Sequence, residues 1–228
     1  MTLRIDELKA RLEDTRALIT RLSQEAGRDE APQLLPVTKF HPSEDVALLG
    51  ELGISDVAEN REQEARAKAE ELTSINFHMI GQVQTKKANH VARWAKSVHS
   101  VDTEKLANAL NRGIENAERE PLPVFIQVSY DGDTSRGGIA IDGVVELAEI
   151  IENLPNLELS GLMVVPPLES DASEVFTTVR KLADQLGEQL KRPMKLSAGM
   201  SADLKEAIAA GSDIVRVGTG IMGERPLG

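Results

Sequence analysis

The chain has 228 residues, 41% of them apolar, with a formal net charge of -11 and no cysteine. That length suits one α/β barrel domain with a large core. The negative charge disfavours nucleic-acid and anionic-lipid surfaces, and the lack of thiols removes disulfides, thiolate metal sites and a cysteine nucleophile.

The first stretch, from Met1 to Gly27, carries charges throughout and has no apolar h-region. No window approaches the ~20 apolar residues of a membrane span. Neither leader nor anchor is expected, and a soluble cytoplasmic protein follows. Ile5, Leu8, Leu12, Leu18 and Leu22 recur near helical spacing and predict an opening amphipathic helix, with residues 1–28 as an extension of the domain. Leu34 to Thr38 predicts the first buried strand, and Pro42-Ser43-Glu44 a helix start with Ser43 as N-cap.

The alternation continues through strands at Asp56–Ala58, Phe77–Ile80, Ser97–Val101, Val124–Val128, Leu157–Val164, Lys195–Ser197 and Asp213–Val217. Helices are predicted between them over Glu59–Leu72, Lys86–Trp94, Glu104–Glu118, Val144–Ile151, Ser173–Leu186 and Ala202–Ala210. Eight short strands alternating with helices predict an α/β fold, a single (β/α)8 TIM-type barrel with an additional N-terminal helix. An open doubly wound sheet is the competing reading, but it calls for a glycine-rich turn after the first strand, where this chain has Lys39-Phe40-His41-Pro42.

In a parallel barrel the chemistry sits where strands end. Lys39 follows strand one. A lysine attacks an aldehyde only as a neutral amine, which burial or a nearby cation favours by lowering its pKa from about 10.4. The plainer reading of Lys39 is a solvated ion pair at a strand end.

Gly218-Thr219-Gly220 after strand eight offers a small-residue turn with one hydroxyl, and Ser201 after strand seven offers another hydroxyl at the expected start of a helix. Such parts suit a phosphate, although a capping serine and turn glycines would look the same. Barrel closure brings strand eight beside strand one, so Lys39 and a phosphate could share one ligand. Arg216, the last charge on strand eight, should meet a ligand or an acid if buried. Asn60 and His78 could reach the barrel mouth, or be packed and hydrogen-bonded within it, which is the simpler reading. The Tyr130–Gly138 loop lacks the EF-hand pattern, His41, His90 and His99 lack metal-ligand spacing, and no metal site is expected.

Several ordered motifs carry a resemblance. These are Val37-Thr38-Lys39-Phe40-His41-Pro42, Glu59-Asn60-Arg61-Glu62-Gln63-Glu64, His78-Met79-Ile80-Gly81-Gln82-Val83-Gln84 and Gly161-Leu162-Met163, closed by Gly199-Met200-Ser201-Ala202-Asp203-Leu204 and Val215 to Gly223. On these the sequence resembles the pyridoxal phosphate homeostasis proteins (YggS family). Thr38, Ala58, Arg136 and Met222 depart from that family's commonest residues and leave Lys39 and the phosphate motifs intact.

The resemblance implies a barrel similar to the N-terminal domain of alanine racemase, with pyridoxal 5′-phosphate as a Schiff base on Lys39 and phosphate contacts from Ser201, Gly218 and Thr219. It implies Arg216 facing the pyridine nitrogen, which disfavours a protonated ring and weakens the electron sink. The expected cofactor-binding set is Lys39, Asn60, His78, Met200, Ser201, Arg216, Gly218 and Thr219, with no catalytic residue.

The chain ends soon after the strand-eight motif, where racemases continue into a second domain that supplies an opposing acid or base. A non-catalytic, monomeric carrier is therefore expected, taking part in pyridoxal phosphate homeostasis and influencing amino-acid and keto-acid balance, with pyridoxal-phosphate-dependent apo-enzymes as partners. The alternatives are a weak racemase or lyase acting on amino acids, and a barrel aldolase forming its Schiff base directly with a sugar phosphate.

Overall fold

The computed structural model describes residues 2–224. Among the described residues nine strands, all paired in parallel, make the sheet: β1 (Gln33–Pro36), β2 (Asp56–Glu59), β3 (Asn76–Met79), β4 (Ala95–Val101), β5 (Leu122–Ser129), β6 (Ile139–Ala140), β7 (Leu157–Val164), β8 (Lys195–Ser197) and β9 (Ile214–Val217). Their order is β1-β9-β8-β7-β5-β4-β3-β2, with the two-residue β6 attached only to β5. A parallel bridge between Val37 and Ala58, with the Thr38 N–H donating to the Ala58 carbonyl at 3.0 Å, brings the two ends together. The result is the expected eight-strand barrel, nearly closed.

Helices cover it: α1 (Thr2–Glu25), α2 (Ser43–Glu51), α3 (Glu62–Glu71), α4 (Ala88–Trp94), α5 (Glu104–Asn116), α6 (Val144–Glu152), α7 (Ala172–Leu190), α8 (Leu204–Ala209) and α9 (Thr219–Met222). The two-residue period of the strands sorts side chains into an inner and an outer layer. Leu35, Val37, Ala58, Phe125, Met163 and Ile214 fill the barrel as one cluster. Val57, Phe77, Val215 and Val217 pack outward with Leu8, Leu12, Ile19 and Leu22 of α1. Arg4 ties that helix down, donating to Asp45 of α2 at 2.6 Å and to the Met222 carbonyl of α9 at 2.9 Å.

Several boundaries differ from the sequence expectation by a few residues, and three of them bear on the site. Ser43 is the first residue of α2 and not its cap: Pro42 holds the cap position without a side-chain hydrogen bond, since a proline there costs no helical N–H. Glu59 ends β2 instead of starting α3. The helix expected from Ala202 begins at Leu204, because Asp203 accepts from the Met200 N–H and winds residues 200–203 into a turn. Ser201 therefore caps nothing.

Candidate functional site

A cavity of about 310 Å³ opens at the carboxyl ends of the strands. Lys39, Asn60, Met200, Ser201, Arg216, Gly218 and Thr219 line it, with Val37, Ile80, Met163, Val165 and Ala202 supplying apolar wall. Lys39 and Arg216 are the ionisable side chains of this lining, and both are cationic types. The volume is at the lower end of the range for small-ligand pockets.

The chain on either side of Lys39 is clamped. Lys68 of α3, buried, donates to the Thr38 carbonyl at 2.9 Å, to Glu59 Oε1 at 2.6 Å and to Glu64 Oε1 at 2.8 Å. Thr38 Oγ1 donates to Glu59 Oε1 at 2.6 Å, and the Phe40 N–H donates to Glu64 Oε1 at 2.7 Å. Burial pushes the Glu59 carboxyl up while Lys68 and Thr38 pull it down. Burial prevails, so the carboxyl sits above its ordinary range; Oε1 takes the contacts from Lys68 and Thr38, while Oε2 is buried without a partner.

Phe40 adopts φ 67°, a left-handed conformation that costs a bulky residue roughly 1–2 kcal/mol. The Glu64 bond and Arg61, whose guanidinium carbon lies 4.9 Å from the Phe40 ring centroid, hold it there. That turn swings the chain away immediately after Lys39.

Arg216 occupies the inner face of β9, 3% exposed. It was expected to meet an acid or a ligand. Within the protein its Nη1 donates to the Ser197 carbonyl at 2.7 Å and Ser197 Oγ at 2.9 Å, and its Nη2 to the Val164 carbonyl at 3.0 Å. Burial lowers its pKa to about 10, with Asp203 opposing, so the guanidinium stays charged at neutral pH.

Ser201, Gly218 and Thr219 all line the cavity. A Cβ added to Gly220 would press on Val217 Cγ1 at 3.0 Å and stand in ordinary contact with Ser201 Oγ at 3.5 Å, so the glycine lies beside that hydroxyl. Asn60 is placed by Gly81, where a Cβ would fall 2.1 Å from the Asn60 carbonyl oxygen; only glycine lets the two backbones approach so closely. Asn60 Oδ1 is a buried polar atom without a partner at the cavity wall.

His78 does not line this cavity. Its ring points into the barrel below, with Nε2 2.9 Å from Asp56 Oδ1 and Nδ1 2.6 Å from Ser97 Oγ, because the inward face of β3 at that level meets β2 and β4. Sequence reasoning assigned no role to Glu59, Glu64, Lys68, Ser97, His99 or Ser197. A signal existed for β4, where Ser97 and His99 sit two apart in an apolar strand, as inward-facing residues do.

The model of the alanine racemase N-terminal domain matches residues 11–226. A pyridoxal phosphate homeostasis protein of Corynebacterium glutamicum is 54% identical over 201 residues, 86% of this chain and 91% of that relative. The chain belongs to the pyridoxal phosphate homeostasis protein family. A member from Mycobacterium bovis is 40% identical over 98% of this chain and 95% of its own length. Among solved structures, PipY of Synechococcus elongatus, with pyridoxal phosphate bound, superposes with a TM-score of 0.83 at 29% identity, covering 95% of this chain and 100% of PipY. Among the described residues of this family member, no helix is long and apolar enough to cross a membrane.

Proposed function

We propose that this chain binds pyridoxal 5′-phosphate through Lys39 and holds it for release to apo-enzymes, influencing amino-acid and keto-acid balance without turning substrate over. The observation that carries the reading is the single cavity that joins Lys39, Arg216, Ser201, Gly218 and Thr219 within a ligand-sized space. The residues fit the group: two hydroxyls with neighbouring glycines for a phosphate, a buried guanidinium for the ring, and a lysine amine in the same lining. When bound, pyridoxal phosphate supplies an aldehyde that condenses with a neutral primary amine and releases water.

The chain's own residues do the rest. Ser201 and Thr219 would orient the phosphate, and the clamp on Thr38 and Phe40 would keep Lys39 aimed along the cavity. Arg216, charged and donor-only, would meet the ring nitrogen as a donor and so keep it unprotonated, which favours holding over carbanion chemistry. The family name borne by relatives of 40% and 54% identity supports a homeostatic role. An incoming amine could then displace Lys39 and carry the cofactor away, as a monomeric reservoir would require.

The test is borohydride reduction of the protein mixed with pyridoxal phosphate, followed by peptide mass measurement. A pyridoxyl increment on the peptide containing Lys39, with loss of the visible imine band in Lys39→Ala, is expected. An increment elsewhere, or an undiminished band in Lys39→Ala, would overturn the assignment.

A further inference from the structure

The barrel interior holds a polar series that the cofactor site does not explain. It starts at Arg216 in the cavity wall and runs to Asp56 at the first residue of β2, at the opposite end of the barrel. The successive contacts are Arg216 Nη1 to Ser197 Oγ, 2.9 Å; Ser197 Oγ to His99 Nδ1, 2.9 Å; His99 Nε2 to Ser97 Oγ, 2.8 Å; Ser97 Oγ to His78 Nδ1, 2.6 Å; and His78 Nε2 to Asp56 Oδ1, 2.9 Å. Every contact lies within hydrogen-bonding distance. Ser97, His99, Ser197 and Arg216 are all buried.

The two ends fix the direction of the series. A guanidinium can only donate and an ionised carboxylate can only accept. Asp56 is held ionised, its pKa depressed to about 2, first by the His78 bond and then by Ser55 and Asn76. Each hydroxyl has one hydrogen, and so does each neutral imidazole. With both imidazoles neutral the direction runs back from the carboxylate: His78 carries its hydrogen on Nε2 to donate to Asp56, so its Nδ1 must accept from Ser97. Ser97, its one hydrogen so used, must accept from His99 Nε2–H, and His99 Nδ1 then accepts from Ser197, whose Oγ also accepts from Arg216. No other assignment of two neutral imidazoles satisfies all five contacts at once. Protonation of His99 is opposed by its complete burial and by Arg216 nearby. Its ring is also packed against Phe125, with centroids 4.2 Å apart, which limits reorientation.

We propose that Arg216, Ser197, His99, Ser97, His78 and Asp56 form one directed hydrogen-bond chain through the barrel, by which the far-end carboxylate positions the Arg216 guanidinium against the cavity's ligand. Ser97 is its pivotal positioning residue, since its single hydroxyl joins both histidines. The part concerning the ligand rests on the proposed binding of pyridoxal phosphate; the direction of the chain does not. Hydrogen bonds in a buried series polarise one another, so breaking it at Ser97 should be felt at Arg216, three links away.

Nitrogen-15 NMR of the histidines in the ligand-free protein tests the direction. Nε2–H tautomers at both His78 and His99 are expected; a dominant Nδ1–H tautomer or an imidazolium at either one, at neutral pH, overturns the proposal. The second arm titrates pyridoxal phosphate into the unmodified chain, Ser97→Ala and Ser97→Thr. Ser97→Ala should shift the absorbance maximum of the bound form and weaken binding by about threefold or more, with Ser97→Thr restoring both. Binding and spectrum unchanged in Ser97→Ala would refute the coupling, even with the tautomers as expected. Lys39→Ala separates this from the parent reading: the imine band should vanish while the histidine signals keep their Nε2–H pattern.

Discussion

Lys68 Nζ donates to the peptide carbonyl of Thr38 at 2.9 Å, so a buried ammonium from α3 grips the residue immediately before Lys39. The same ammonium joins Glu59 and Glu64, the latter holding the peptide N–H immediately after Lys39. Three charges thus brace one short turn. Desolvating them is costly, and removing one partner costs more than the net worth of the set.

Lys68→Met should therefore destabilise the fold by about 3–5 kcal/mol, leaving two carboxylates without their cation. Lys68→Met combined with Glu59→Gln should recover part of that loss. Urea denaturation measures both, and a single variant as stable as the unmodified chain would show that the cluster braces nothing.

Acidification should weaken the fold in two ranges. Burial above all, with Arg216 nearby, holds the His99 imidazole well below 6.5 in the folded state. The unfolded chain protonates near that value, so it binds more protons there, and stability is full above about pH 6.5 and declines beneath it. Asp56 is depressed from 3.8 to about 2 by the His78 bond above all. Its contribution is complete above about pH 4 and lost as pH falls towards 2, roughly 1–2 kcal/mol once partial exposure is allowed for. Denaturation midpoints across this range should fall less steeply in the upper part for His99→Phe and in the lower part for Asp56→Asn. Parallel curves for all three proteins would contradict these assignments.

Gly81→Ala should cost about 2–3 kcal/mol, because its methyl would be forced into backbone instead of a movable side chain. The carbonyl it strikes belongs to Asn60, so ligand binding should weaken as well as the melting temperature fall. A melting temperature within error of the parent would show that the two backbones separate freely.

Ser201→Ala and Thr219→Val should each weaken pyridoxal phosphate binding about tenfold, the scale of a lost hydrogen bond to a charged group. Unphosphorylated pyridoxal should bind both variants as it binds the parent. Equal losses for the two ligands would place the phosphate elsewhere.

Much of this arrangement is legible along the chain. Short apolar strands alternating with amphipathic helices announce a parallel barrel, and a lysine after the first strand with hydroxyls and glycines after the last two mark one mouth. Those features are local, written in periods and turns of a few residues. The barrel interior is not local. His78 reads equally well as a pocket residue or a packed one, and only the register that sets it against Ser97 shows its ring directed at Asp56. Lys68 looks like any solvated helix lysine until α3 lays it over Thr38.

The sequence by itself determined the strand and helix order, the family motifs and the candidate lysine, because propensity and pattern act over neighbouring residues. Only the tertiary structure decided which polar side chains meet inside the barrel. Their partners lie on strands 19 and 98 residues apart in sequence, and closure of the sheet alone brings them within hydrogen-bonding distance.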